Sequence, residues 1–375
     1  MRIGFYAPFK PLGHAQPSGD LVIATGLFQY LENLGHQVMV VSDFRARWIY
    51  WKPWRWLQLV IARKRAAKRA FENAFDLWIT YHTYYKAPDL LGPLISKRMK
   101  IPYVIFQGIY ATKRKKKIHT WPGYIMNKKV LCAADHIFTN KQTDLKNLLR
   151  LLPSRYISYM APGVYPQDFC FDAKARAELR QAWNVGNEPV VLSAAMFRPG
   201  IKTEGLSWVI RACGKLYGQG RRLYLIIAGD GREREKLHRL ADAHLPERVV
   251  FVGKVPRENM HRYYSAGDVF AFPGIKESLG MVFLEAQASS LPVVAFKNSG
   301  IPEVVREGQT GFLVRLYDFD QFVKAIDKLL AKEDLRKQMG RAAQAYVRKN
   351  HDIDKNYKKI EVVLKELVQS KRWIG

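Results

Sequence analysis

The stretch from Asp268 to Gly311, DVFAFPGIKESLGMVFLEAQASSLPVVAFKNSGIPEVVREGQTG, constrains the fold more than any other part of the chain. Val269 to Phe272 is an apolar run of the kind shown by a strand covered on both faces. It enters a loop carrying Glu277 and Gly280, and the loop opens a helix bearing Glu285 on its first turns. One carboxylate lies in the loop and the other on the helix, so the two can converge on one ligand from different directions. Between them, Ser278 and Leu279 line the turn, and Gly280, Met281 and Val282 bring free N–H groups to a helix start, which is an anion site. Two acids flanking a phosphate cradle suit a sugar nucleotide, whose hydroxyls donate to carboxylates and whose diphosphate accepts from backbone amides.

The rest of the chain repeats the same rhythm. Arg2 to Phe9 reads as a buried strand, followed by the loop PLGHAQPSGD. A helix through Leu21, Ala24, Leu27, Phe28, Leu31 and Leu34 follows, closed by Gly35, and HQVMVVS gives the next strand. This is the opening βαβ unit of a doubly wound sheet, in which ligands lie beyond the carboxyl ends of the strands, and it places Gly19 where a backbone can approach a phosphate. Further strands are expected at Asp76–Tyr81, Ile101–Phe106, Ile137–Thr139 and Ile157–Met160. In the second half, strands at Val190–Ala195, Leu223–Ala228 and Val249–Gly253 alternate with helices at 206–216, 233–243 and 258–266. A chain of 375 residues is too long for one ordinary core. The expected architecture is α/β, with two doubly wound parallel-sheet domains covering residues 1–168 and 169–353 and a terminal helix over 354–375.

The formal charge is +28, and residues 1–165 hold 26 of the 61 Lys and Arg but only 8 of the 33 acids. Such a surface favours an anionic partner, a membrane leaflet or a nucleic acid. In the same half, RARWIYWKPWRWLQLVIARKRAAKRAF carries Trp48, Trp51, Trp54 and Trp56, then the basic cluster Arg63, Lys64, Arg65, Lys68 and Arg69. A helix begun at Pro53 puts Trp56, Leu59, Val60, Ala66, Ala67, Ala70 and Phe71 on one side. Indoles favour the membrane interface and basic heads reach lipid phosphates, so this segment is expected to lie on an anionic membrane or touch a lipid acceptor. The other reading is a core helix with its tryptophans packed internally. The run Lys113, Arg114, Lys115, Lys116 and Lys117 is expected to reach the same headgroups or an anionic acceptor. Lys52 and Arg55 break the apolar run, so the segment does not span a bilayer. Met1 to Phe9 reads as a strand rather than a leader, and the scattered Cys132, Cys170 and Cys213 point to a reducing compartment. The expected location is therefore cytoplasmic and peripheral on the inner face of the cytoplasmic membrane. Against a nucleic-acid-binding role stands the lack of any helix-turn-helix, RRM or zinc spacing.

Glu277 and Glu285 with Gly280 between them, the following LEA, the strand LPVVAF and the tail IPEVVREGQTGFLV resemble the E-x7-E signature of glycosyltransferase family 4. The resemblance implies the GT-B fold, two Rossmann-like domains facing a cleft with the terminal helix crossing back onto the first. It also implies retaining transfer from a nucleoside-diphosphate sugar, a UDP-sugar or a GDP-sugar, to a lipid-linked or lipopolysaccharide-type glycan, with no other cofactor. By the same resemblance Glu285 holds the ribose hydroxyls, Glu277 the donor sugar, and Arg198 with Lys202 the diphosphate, although the family often spaces that pair five apart rather than four. Ser278 stands where many members have glycine, and Gln107 where many have a histidine lining the donor or acceptor site. Two D-x-D pairs, Asp318 with Asp320 and Asp352 with Asp354, precede helical patterns and read as N-caps rather than metal ligands. Fixed cations are then expected to stabilise the leaving diphosphate. His14 and His119 lie in loops of the first half. A sugar-nucleotide epimerase of the same fold is the alternative within enzymes.

Overall fold

The computed structural model of the protein describes residues 1–13 and 19–372. It divides into two compact units, Met1–Ala161 with the segment from Asp354 onward, and Pro162–Ile353. The first break falls at the start of APGVYPQDF rather than near residue 168. Residues 162–164 are tied into the second unit, since Val164 N donates to His351 O at 2.9 Å, Ile353 N donates to Val164 O at 3.1 Å, and His351 Nδ1 lies 2.7 Å from Pro162 O.

The first unit runs β1 (Arg2–Tyr6), α1 (Gly19–Asn33), β2 (Gln37–Ser42), α2 (Arg55–Glu72), β3 (Leu77–Thr83), α3 (Gly92–Met99), β4 (Tyr103–Gly108), α4 (Trp121–Cys132), β5 (His136–Thr139), α5 (Gln142–Leu148) and β6 (Ile157–Tyr159). All strand pairs are parallel, in the order β2-β1-β3-β4-β5-β6. Every residue of β3 and β4 is buried, as central parallel strands covered by helices on both faces must be. The sheet order reverses between β1 and β3, which makes the carboxyl edge there a switch point.

In the first unit, α2 begins at Arg55, two residues after Pro53, and buries a narrower stripe than its apolar pattern suggests. Leu59, Ala66 and Ala70 are covered, whereas Trp56, Val60 and Phe71 remain exposed. The small side chains at Ala66 and Ala70 let the helix close onto its neighbours along one line, leaving its flanks outside.

The second unit contains α6 (Ala173–Ala182), β7 (Val190–Ala194), α7 (Ile201–Gly218), β8 (Tyr224–Ala228), α8 (Arg234–His244), β9 (Val249–Gly253), α9 (Met260–Ala266), β10 (Val269–Ala271), α10 (Met281–Ala288), β11 (Val293–Phe296), α11 (Ile301–Val304), β12 (Gly311–Val314), α12 (Phe319–Ala331) and α13 (Glu333–Asn350). Its parallel sheet has the order β12-β11-β10-β7-β8-β9, so the direction of winding reverses between β7 and β10. The closing helix α14 (Ile353–Arg372) joins the first unit from Asp354 onward. It buries Tyr357, Ile360, Leu364 and Val368, and the Tyr357 ring meets Tyr30 and Phe106 edge-on.

Candidate functional site

In a doubly wound sheet, ligands bind beyond the carboxyl ends of the two strands that flank the reversal. In the second unit these are β7 and β10, and the loops leaving them carry Arg198 and Glu277. The loop after β7 is braced from β8: Ala195 N donates to Ala228 O and Phe197 N to Asp230 O, both at 3.0 Å, while the Phe197 side chain is buried. Arg198 is thereby presented at the surface, its carbonyl accepting from Thr203 Oγ1 at 2.7 Å as α7 begins.

Lys202, in the first turn of α7, donates to Glu277 Oε2 at 2.5 Å and lies over the Phe272 ring, its nitrogen 5.2 Å from the centroid. The structure therefore brings together two of the residues singled out for chemistry, one from each side of the switch point. Both remain partly accessible, with side-chain exposures of 34% for Lys202 and 19% for Glu277, so a ligand can still reach them. Ser278 N donates to the other Glu277 oxygen, Oε1, at 3.2 Å.

Gly280 caps α10 with φ +65°, in the left-handed region, and a Cβ there would come within 2.8 Å of Val304. A side chain at this position would meet both backbone strain and a clash. The first turn of α10 leaves the amides of Gly280, Met281 and Val282 without intrahelical acceptors, while Leu279 is buried beneath the turn and Ser278 is exposed. Gly300, just before α11, closes the loop from behind. Its own N–H donates to Glu277 O at 3.3 Å, and a Cβ would sit 2.1 Å from Ser278 O.

Glu285 occupies the second turn of α10 and is only 9% exposed, which removes it from the class of ordinary first-turn acids. Arg257 Nε donates to its Oε1 at 2.9 Å and the Tyr264 hydroxyl to its Oε2 at 3.2 Å. Burial pushes the Glu285 carboxyl above its usual range, and Arg257 and Tyr264 only partly oppose this. Arg257 also stacks over Phe169, 5.3 Å from its centroid. The two signature carboxylates thus have separate partners, Lys202 for one and Arg257 with Tyr264 for the other. Arg257 and Tyr264 carried no motif, and their only signal was position, following the carboxyl end of β9.

Of the two D-x-D pairs, Asp318 is the N-cap of α12 and accepts from Gln321 N, while Asp320 pairs with Lys215 at 2.7 Å. Asp352 forms the bridge to Val164.

The remaining candidates lie in the first unit. Gly19 opens α1, and a Cβ on it would meet nothing within 4 Å, so packing does not require glycine there. Trp51, Trp54 and Trp56 are exposed, with Trp54 at 67%, and Lys64, Arg65, Lys113 and Lys115 are exposed as well. Three members of that set are half-buried and also make contacts within the first unit. Trp48 is half-buried edge-on against Tyr50 and Tyr85, Arg63 donates to Leu90 O at 3.0 Å, and the Arg114 guanidinium lies 4.4 Å from the Tyr85 centroid. Sequence reasoning missed two exposed partners of the tryptophans, Ile118 at 88% exposure and Trp121 at 49%. The Trp51 indole donates to His119 O at 2.8 Å and so ties the two segments into one surface. His14 lies outside the described residues. No described helix is long and apolar enough to cross a membrane.

Residues 175–346, most of the second unit, match the family Glycosyl transferases group 1. Over 206 residues the chain is 35% identical to a GDP-mannose-dependent alpha-(1-6)-phosphatidylinositol monomannoside mannosyltransferase of Mycolicibacterium smegmatis, covering 53% of each chain. Over 149 residues it is 35% identical to a lipopolysaccharide core biosynthesis glycosyltransferase of Rhizobium meliloti, covering 40% of this chain and 41% of the relative. The chain thus spans about half the length of the first of these relatives, and less of the second. Among solved structures, HepE of Anabaena in complex with UDP superposes with a TM-score of 0.77 at 19% identity, covering 98% of this chain and 100% of that one. Sucrose-phosphate synthase from Thermosynechococcus elongatus gives 0.74 at 18% identity, covering 99% and 100%. Both likenesses establish the fold, which is of the GT-B type. Residues 175–346 of the second unit are thus similar to the glycosyl transferases group 1, a match that covers less than half of the chain.

Proposed function

We propose that the protein is a retaining, metal-independent glycosyltransferase that moves a sugar from a UDP- or GDP-linked donor to a lipid-linked or lipopolysaccharide-type glycan. The observation that carries this reading is the Lys202–Glu277 pair across the switch point, beside the exposed Arg198 and the open amides of α10. In the reaction the bond from the anomeric carbon to the diphosphate oxygen breaks, and a bond to the acceptor oxygen forms on the same face. The departing phosphate takes the acceptor's proton. Negative charge grows on the diphosphate as the bond breaks, and Arg198, Lys202 and the helix-start amides are fixed donors of the kind that stabilise it. Glu277 faces the donor sugar, where its charge can balance the positive character developing at the anomeric carbon, and Glu285 accepts from the ribose hydroxyls.

The acceptor class is supported by what the relatives are named for, a phosphatidylinositol mannoside in one case and a lipopolysaccharide core in another. It is also supported by the exposed tryptophans and lysines of the first unit, which suit peripheral attachment to the anionic inner face of the cytoplasmic membrane. Metal independence rests on the fixed cations and on the engagement of Asp318 and Asp320 by Gln321 and Lys215.

Transfer assayed with UDP- and GDP-sugars on lipid-linked glycans tests the proposal. Arg198→Ala is expected to lower kcat about 100- to 1000-fold, and near-normal turnover in that variant would contradict the role given to it. Chelator should leave the rate unchanged. Interconversion of free donor without acceptor would point to the epimerase instead.

A further inference from the structure

Residues 162–169 open the second unit and have so far no part in its chemistry. At one end Val164 is fixed by its bonds to His351 and Ile353, and a Cβ on Gly163 would come within 2.8 Å of His351 O, so the chain lies this close only with glycine there. A single 3-10 turn, Pro166–Phe169, begun by a proline, then carries the chain to α10. At that end the Phe169 carbonyl accepts from Ser289 Oγ at 2.9 Å. Ser289 follows the last turn of α10, and its Oγ also lies 3.3 Å from the carbonyl oxygen of Glu285.

The Phe169 side chain is buried, and it meets both partners of Glu285, the Arg257 guanidinium at 5.3 Å and the Tyr264 ring at 6.3 Å from its centroid. Of the two, Arg257 is the one that needs holding. It reaches Glu285 through Nε alone, at 2.9 Å, whereas the Arg–carboxylate pairs that fix their own geometry use two parallel N–H groups. Its side chain is 38% exposed, and a long side chain making one bond keeps much of its rotational freedom. A buried aromatic face against the guanidinium removes that freedom and shuts water out from one side of the bond. Tyr264 has a second support, since Phe270 packs edge-on against it at 5.8 Å.

We propose that Phe169 is a positioning residue, whose ring holds the Arg257 guanidinium where it donates to Glu285. The consequence for nucleotide binding rests on the glycosyltransferase reading, in which Glu285 accepts from the ribose; the setting of the Glu285 carboxyl does not. Arg257 and Tyr264 are the titratable side chains that face this carboxyl, and both favour its ionised form against burial. Loosening Arg257 therefore raises the midpoint at which the carboxyl titrates. A ring that only filled core space would lower stability on removal and leave that midpoint in place.

Carboxyl carbon-13 NMR of the full-length protein, with the Glu285 signal assigned by its loss in Glu285→Gln, follows the midpoint directly. Phe169→Leu keeps an apolar side chain and removes the aromatic face. Its midpoint should lie above that of the wild type, and the same substitution made on Arg257→Met should add nothing. Phe169→Met, which fills the space with a flexible chain, should behave alike and serves where the leucine variant does not fold. UDP or GDP, whichever binds, should bind Phe169→Leu about two- to fivefold more weakly at neutral pH, the scale of a cation–π contact at a partly exposed site, with no further loss on Arg257→Met. An unmoved midpoint in a folded Phe169 variant, or an equal shift with and without Arg257, overturns the inference. A wild type that binds neither nucleotide would remove the glycosyltransferase reading and leave the midpoint test standing, so the two failures are distinguishable.

Discussion

At the scale of single residues, Glu285 sits between opposing forces. Burial favours its neutral form and Arg257 partly opposes that, while the proposed role, accepting ribose hydroxyls, calls for the ionised form. Arg257→Met should push the carboxyl further up. Nucleotide binding, measured as Kd against pH, should then fail at a higher pH in the variant than in the wild type as the solution is acidified. An unchanged acid limb would show that Arg257 does not govern this group. Gly300→Ala should abolish transfer, because the clash is with the carbonyl of Ser278, a backbone atom that moves only if the whole loop moves. That Glu277 and Lys202 meet was foreshadowed by their both being singled out in the sequence, Glu277 by its place in the loop before a helix and Lys202 by the family resemblance. Arg257 was not, since it lies 28 positions from its partner and only the fold brings the two together.

Elements were legible where burial is complete and obscure where it is partial. The apolar runs of β3, β4 and β10 leave no choice of face, and their strands fall where expected to within two residues at either end. Helix α2 buries a narrower stripe than its pattern suggests because Leu59 and two alanines, not Trp56, Val60 or Phe71, make its contact line. Strand β5 carries a pH-dependent contribution to stability. Burial lowers His136 from its usual 6.5 to about 4, so between those values the unfolded chain binds more protons than the folded one. The contribution is fully present above about pH 6.5 and is lost as pH falls toward 4. Thermal midpoints should drop across that window, and less so in His136→Gln, whose amide can still meet Ser158 as the ring does at 3.0 Å. Helix α14 is held to the first unit through Tyr357, and Tyr357→Ala should lower stability by about 3–5 kcal/mol in denaturant titration. A loss under about 1 kcal/mol would mean the helix is not an integral part of that unit.

On the scale of the whole molecule, two sheets with different strand orders each reverse direction at one point, and each reversal collects polar side chains that the core does not need. The excess positive charge lies mostly on the half that also exposes Trp51, Trp54, Trp56, Ile118 and Trp121. Replacing Trp51, Trp54 and Trp56 together by Ser should reduce flotation with anionic liposomes, and so should raised salt, since screening weakens attraction to the headgroups. Unchanged flotation of the folded variant would remove the membrane from the account. The central claim, that the second unit's switch point holds a nucleotide sugar, is tested most directly by thermal-shift measurement with UDP, GDP, ADP and their sugars. One nucleotide family should raise the melting temperature of the wild type, and Glu285→Ala and Arg198→Ala should each abolish that rise without lowering the ligand-free midpoint by more than a few degrees. A wild type indifferent to every nucleotide, or a shift that survives both substitutions, would contradict the claim.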